Sequence, residues 1–441
     1  MDRRLYLTGL GPISAFGVGI EPLWNAMLEG RTAIDRISTF DASGFPCDAA
    51  AVLSRDLFDI RKSVPKSYRK ATKVMSRDIE LAVGAAAAAV DDASLVTKAT
   101  DPDALPTVEP CRMGCHIGAG LIAADTDELT AAMSTSRDEQ GGFDVEQWGQ
   151  SGMENLTPLW LLKYLPNMLA CHVTIVHDCQ GPSNTITCAE ASSILSIGES
   201  IRVIQRGDAD CCLTGGAESK IHLMGLLRQH FAGRLAATSG HDPTELVRPF
   251  DPQAAGSILG EGGGILVLED ASHARQRGAD IYATVLGFAA AQAEYTDPAS
   301  LQVNPDGLVD AITLAMSEAG VGPGDIDMIL PGGYGIRSID DAEKAALASV
   351  FKEALADMPI VTTVPSVGLC GAGMGALATC VAAKALKEQV MPACINGCEL
   401  DELRGAATRA SSPADITHAL VFNVGLGGQV AALVLGRPDD E

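Results

Sequence analysis

Aromatic and basic side chains are both in short supply. Phe, Trp and Tyr make up 4% of the 441 residues, and 32 Lys+Arg stand against 56 Asp+Glu, a formal charge of −24. That deficit excludes nucleic acid as a natural partner, because phosphate neutralisation needs a Lys/Arg surplus. Charged residues reach only 20% against 47% hydrophobic, which excludes a disordered chain and leaves ample apolar side chain for a core. No run approaches the ~18 apolar residues of a membrane span; the Ala-rich stretch from Leu81 to Val90 stops at Asp91. From Met1 the chain reaches Gly9 before a secretory apolar segment of ~7–15 residues develops, so a cytoplasmic location away from the membrane is expected. The 12 cysteines are too sparse for a disulfide scaffold and read as buried thiols. Neither Cys111, Cys115 and His116 nor Cys394 and Cys398 have the tight paired spacing of a zinc site, so no metal is expected.

What is present is glycine, 46 residues, and a regular succession of strand and helix signals. Leu5 to Pro12 reads as a strand running into a glycine turn, and Glu21 to Glu29 as a helix with Leu23, Trp24, Met27 and Leu28 on one side. Asp78 to Ala93 reads as an Ala-rich central helix with little room around it. The polar stretch 124–157 is an expected insertion at an interface or pocket mouth. Cys171 to Cys179, carrying His172 and His177, reads as an apolar strand; Glu190 to Gly207 follows as a helix with Ile194, Ile197, Ile201 and Ile204 on one face. Alternating signals of this kind imply an α/β chain with a mostly parallel sheet covered by helices on both faces. Neither a phosphate-binding Gly-x-x-x-x-Gly-Lys loop nor a His-Glu-x-x-His pair occurs. The runs Gly260-Glu-Gly-Gly-Gly and Gly371-Ala-Gly-Met-Gly lack the context of a dinucleotide site, so no cofactor is expected.

Several blocks then fall in a familiar order: Thr8-Gly-Leu-Gly-Pro-Ile-Ser, Leu23 to Ile34, His172 to Ser183, Gly207 to Glu218, Arg248-Pro-Phe-Asp, Gly260 to Glu269 and Gly425-Leu-Gly-Gly. In this order they resemble the β-ketoacyl synthase family of condensing enzymes. The resemblance implies a thiolase-like fold: two pseudo-duplicated α/β halves, 1–255 and 256–441, with mixed sheets in a layered α-β-α-β-α core. It also implies a catalytic cysteine at a helix N-terminus, where the dipole favours thiolate, and two histidines that support decarboxylation of the extender.

All three catalytic positions depart from the family pattern. Counted from Gly181-Pro182, the nucleophile position holds Glu190, with Cys188 two residues earlier. The first histidine position holds Gly332 in Leu330-Pro-Gly-Gly-Tyr, with Asp340 and Glu343 kept downstream; the second holds Leu369, next to Cys370. A carboxylate suits the positive helix end but is a poor acyl acceptor, since a thioester would yield a high-energy anhydride. Within the family, loss of all three resembles the chain-length factor, a non-catalytic subunit that often carries glutamine at the nucleophile position. Such a subunit pairs with an active ketosynthase and shapes the tunnel for the growing chain. The expected partners are therefore a ketosynthase, or a second copy of this chain, together with acyl carrier protein. Trp160, Tyr164, Leu165 and Leu426, with the turn 119–124, are candidate tunnel residues. The basic cluster from Arg61 to Arg77, above all Lys66, Arg69, Lys70 and Lys73, is the candidate carrier-protein or partner contact on an otherwise repelling chain. The rival readings are a stand-alone decarboxylase using Glu190, an acyltransferase using Cys188 or Cys370, and a homodimeric lipid-binding scaffold.

Overall fold

The computed structural model describes residues 4–297, 301–398 and 400–438; Met1 to Arg3, the start of the N-terminal stretch considered above, lie outside them. The first half contributes β1 (Leu5–Ser14), α1 (Arg77–Asp92), β2 (Met113–Gly118), α2 (Met168–His177), β3 (Ser183–Ile186), α3 (Ser192–Gln205), β4 (Cys211–Ser219) and β5 (Leu259–Asp270). The second contributes β6 (Ala283–Gln292), α4 (Asp306–Ala319), β7 (Met328–Leu330), α5 (Arg337–Phe351), α6 (Met374–Glu388), β8 (His418–Val424) and β9 (Gln429–Gly436).

Strand order displays the duplication. One half runs β3-β2-β4-β5-β1 and the other runs β7-β8-β9-β6, with Ile360 bridging to Ile329 where the equivalent of β3 would lie. In each, the inner pairs are parallel (β2 with β3 and β4; β7 with β8) and the returning strands antiparallel. The sheet is thus mixed rather than mostly parallel. Residues Leu5 to Leu7 of β1 pair with Ala283 to Val285 of β6, which joins the halves edge to edge. On strand order Leu259–Asp270 stands with the first half, whereas a division at 255/256 would assign it to the second.

Helices α3 and α6 pack on each other between the halves, α1 and α2 cover the first half outside, and α4 and α5 cover the second. Thirteen successive residues of α6, Met374 to Leu386, are buried, as a central helix requires. On α3 the expected face of Ile194, Ile197, Ile201 and Ile204 is at most 2% exposed, and each such side chain contributes about 1.5–3 kcal/mol of burial. The Ala-rich α1 is not central; it covers the outer face of β1. Its small residues are explained by close approach: a Cβ on Gly11 would lie 2.5 Å from the Ala89 nitrogen.

Met168–His177 is a helix, not a strand. The run Val173-Thr-Ile-Val176 imitates β composition, yet the buried positions Leu169, Ala170, His172, Val173, Val176 and His177 follow helical spacing. Asp178 then takes the left-handed conformation, φ 60°, and ends it. The strand leading to Glu190 is accordingly the four-residue β3. The stretch 124–157 is mostly exposed and folds into short helical pieces, the longest being Thr126–Ser134.

Candidate functional site

The site forms where β3 turns into α3. Ala189 adopts φ 49°, a region L-residues rarely occupy, and this tight turn delivers Glu190 to the start of the helix. Gly425 is required alongside it, because any Cβ there would collide with the Cys188 carbonyl.

Glu190 and its partner are each 1% exposed at the side chain. The cation is Arg234, whose Nη2 lies 2.7 Å from Glu190 Oε1. The second carboxylate oxygen accepts the Leu426 amide at 3.1 Å, and Gln229 Oε1 accepts from Arg234 Nη1 at 3.0 Å. Burial pushes the Glu190 pKa up, but the charges of Arg234 and Lys220 and the Arg234 hydrogen bond outweigh it and hold the pKa below the ordinary value. Glu190, at the expected nucleophile position, is therefore an ionised carboxylate with both oxygens occupied. Nothing in the sequence around Arg234 marks it beyond a lone cation between Gly233 and Leu235.

The two expected histidine positions, Gly332 and Leu369, carry no imidazole. Gly332 is buried, and a Cβ on it would meet Glu343 Oε1 at 2.5 Å and the Tyr334 ring at 2.6 Å. Its loop is clamped by α5: Glu343 accepts the amides of Gly332 and Gly333 (3.2 and 2.9 Å), and Asp340 those of Tyr334 and Gly335 (both 3.0 Å). The retained acids thus hold the loop, with Tyr334 in it. Tyr334 is fully buried and donates to the Val424 carbonyl at 3.0 Å; burial, then the nearby Glu190 charge, push its pKa upward. Leu369 is 2% exposed and bonded on both sides through its backbone, to the Ile258 carbonyl and the Gly260 amide.

Burial raises the Cys188 and Cys370 thiols, Cys370 being wholly enclosed with Sγ 3.5 Å from the Val367 carbonyl. His172 and His177 are bonded to Tyr68 (2.8 Å) and Thr97 (3.0 Å) respectively. Among the described residues no group of three His, Cys, Asp or Glu side chains is arranged to hold a metal.

A cavity of about 460 Å³ adjoins Glu190, with Gly120, Leu121, Pro166 and Leu426 on its wall. Glu218, Lys220 and Arg228, which sequence reasoning did not single out, line it as well. A second, larger cavity of about 910 Å³ meets the first at Ala123 and His222. Tyr164 belongs to the larger one, its hydroxyl donating to Glu128; Trp160 and Leu165 line neither of the two. Lys66, Arg69, Lys70 and Lys73 are all exposed, whereas Arg77 turns inward to Glu261 (2.9 Å) and leaves the basic surface.

The model for the beta-ketoacyl synthase N-terminal domain matches residues 2–274, and that for the C-terminal domain residues 282–397. The chain belongs to the β-ketoacyl synthase family. Curated β-ketoacyl synthases similar to it include the 3-oxoacyl-acyl-carrier-protein synthase 2 of Staphylococcus aureus (strain COL), 29% identical over 99% of each chain. The namesake enzyme of Coxiella burnetii is 28% identical, again over 99% of each. Among solved structures, the ishigamide ketosynthase/chain length factor matches at TM-score 0.82 and 26% identity over 100% of both chains. A beta-ketoacyl synthase from Burkholderia phymatum STM815 matches at TM-score 0.81 and 25% identity over 99% and 100%. The fold is thus the thiolase-like ketosynthase fold, and no helix among the described residues is long and apolar enough to cross a membrane.

Proposed function

We propose that this β-ketoacyl synthase family member is a subunit without condensing chemistry of its own, of the chain-length-factor kind. It pairs with an active ketosynthase and shapes the tunnel that holds the growing acyl chain. The observation that carries this reading is the Glu190–Arg234 pair: the nucleophile position holds a carboxylate locked at 2.7 Å by a buried guanidinium. Gly332 and Leu369 supply no imidazole to replace the lost proton chemistry, and the space beside Gly332 is already filled.

The pairing surface suggested by the fold is the free edge of β3. Among the described residues no strand pairs on its outer side, and Ser183 and Asn184 are exposed. A partner strand laid there would extend the sheet beside the elbow. Carrier protein would dock on the exposed Lys66, Arg69, Lys70 and Lys73, whose charge opposes the −24 of the whole chain.

The test is co-expression with a ketosynthase that has an intact Cys-His-His set. Stable co-purification, with product length changing when cavity residues of this chain are altered, is the expected outcome. Labelled malonyl- and acyl-carrier protein should leave this chain unlabelled when it is alone. Acylation at one cysteine, lost in Cys188→Ser or Cys370→Ser, would sink the proposal.

A further inference from the structure

The larger cavity, of about 910 Å³, does not include Glu190 in its wall, and the charges that line it do not balance. Each lysine or arginine on it is paired with a carboxylate: Arg55 with Glu80 (2.9 Å), Arg77 with Glu261 (2.9 Å) and Lys163 with Glu128 (3.1 Å). His222 adds no charge, since its Nδ1 accepts the Gly225 amide at 3.2 Å and burial lowers its pKa. Asp78, Asp125 and Asp127 line the same space, and among the described residues none of the three is in an ion pair.

Asp78 is the buried member, 4% exposed. The Ser219 amide donates to its Oδ1 at 3.1 Å. Oδ2 accepts from no other residue, yet it is not one of the sealed, unpartnered atoms of the interior, as Glu218 Oε1 is. It keeps open surface, and the space before it is the cavity that Asp78 lines. A desolvated carboxylate with one unmet oxygen calls for a donor, and a cation supplies both the donor and the missing charge. A single open oxygen favours an ammonium, a point charge, over a guanidinium, whose planar fork is matched by two. Val52, Met75, Ile122 and Ile221 give the same cavity an apolar lining for the body of such a ligand.

We propose that this cavity is a binding site for a primary alkylammonium ligand, its nitrogen donating to Asp78 Oδ2 and its chain lying on the apolar lining. The site is separate from Glu190 and needs no partner subunit. Asp78 must be ionised to hold the cation. Burial, then the Glu218 charge, raise its pKa to about 7, while the Ser219 amide and Lys220 favour the anion; Arg77 and Glu261 neutralise each other nearby. The ionised fraction therefore falls about tenfold from about pH 8 to about pH 6, a range in which an alkylamine stays charged.

Calorimetric titration of the purified protein with octylamine, octan-1-ol and octanoate at fixed ionic strength tests it. At about pH 8 octylammonium should bind at a single site per chain, at least about tenfold more tightly than octanol or octanoate, the effect of a charge-assisted hydrogen bond. Its affinity should fall about tenfold by about pH 6. In Asp78→Asn, shown to be folded by circular dichroism, the preference for octylammonium over octanol and its pH dependence should both be lost. Octanol binding as tightly as octylammonium, no binding of octylamine, an affinity flat over that pH range, or a preference kept in Asp78→Asn would each overturn the inference. Should Asp78→Asn not fold, the ranking and the pH dependence of the unaltered protein decide.

Discussion

At the scale of the residue, a carboxylate at position 190 can be buried only with Arg234 in place. Removing one partner of a buried pair strands the other charge, so Arg234→Met should cost about 3–5 kcal/mol in a urea denaturation. Glu190→Met together with Arg234→Met should recover most of that loss, because two apolar side chains replace a pair that is costly to desolvate. Asp78 carries a second prediction. Burial, then the neighbouring Glu218 charge, raise its pKa to about 7, against the Ser219 amide and Lys220, which favour its anion. The folded protein therefore binds this proton more tightly than the unfolded chain does. Stability from this group falls as pH rises from about 4 to 7 and is flat above. Asp78→Asn should flatten the slope of melting temperature against pH over that window, and an unchanged slope would place the titration elsewhere.

At the scale of the element, the blocks around Gly9, Gly215 and Gly262 were legible because close backbone packing leaves a glycine signature in sequence. Such positions tolerate no substitute: a Cβ on Gly9 would lie 2.7 Å from that of Ala93. The sequence of α2 reads as a strand because its β-branched run outweighs a helical burial pattern that only tertiary contacts reveal. Glu190, Gly332 and Leu369 are candidates from their place in the sequence blocks alone, whereas Arg234 and Lys220 carry no such signal, each reaching Glu190 from 30 or more residues further along. Strand β3 offers a direct test of the pairing proposed for its edge. Pro182 and Ile186 turn their carbonyls to the amides of Cys115 and Ala119, so Ser183 and Thr185 direct theirs outward. Thr185→Pro should leave the internal ladder intact, remove one outward N–H and abolish association with a partner subunit in size-exclusion chromatography. Undiminished association would place the interface elsewhere.

At the scale of the whole molecule, an acidic chain with a small exposed basic patch is expected to meet carrier protein in a salt-dependent way. Charge-reversing Lys66, Lys70 and Lys73 to Glu should weaken carrier-protein binding by a factor that shrinks as salt is raised, measured by biolayer interferometry from low to high ionic strength. The seam between Leu5–Leu7 and Ala283–Val285 bears on a different question. Although the chain repeats one topology twice, the halves share a hydrogen-bonded sheet edge and interlocked central helices, α3 against α6. A cut between Asp270 and Ala283 would open two strand edges and strip each central helix of its mate. The repeat is a pattern of strands rather than a pair of separable modules: each half of this chain completes its sheet and its core only against the other.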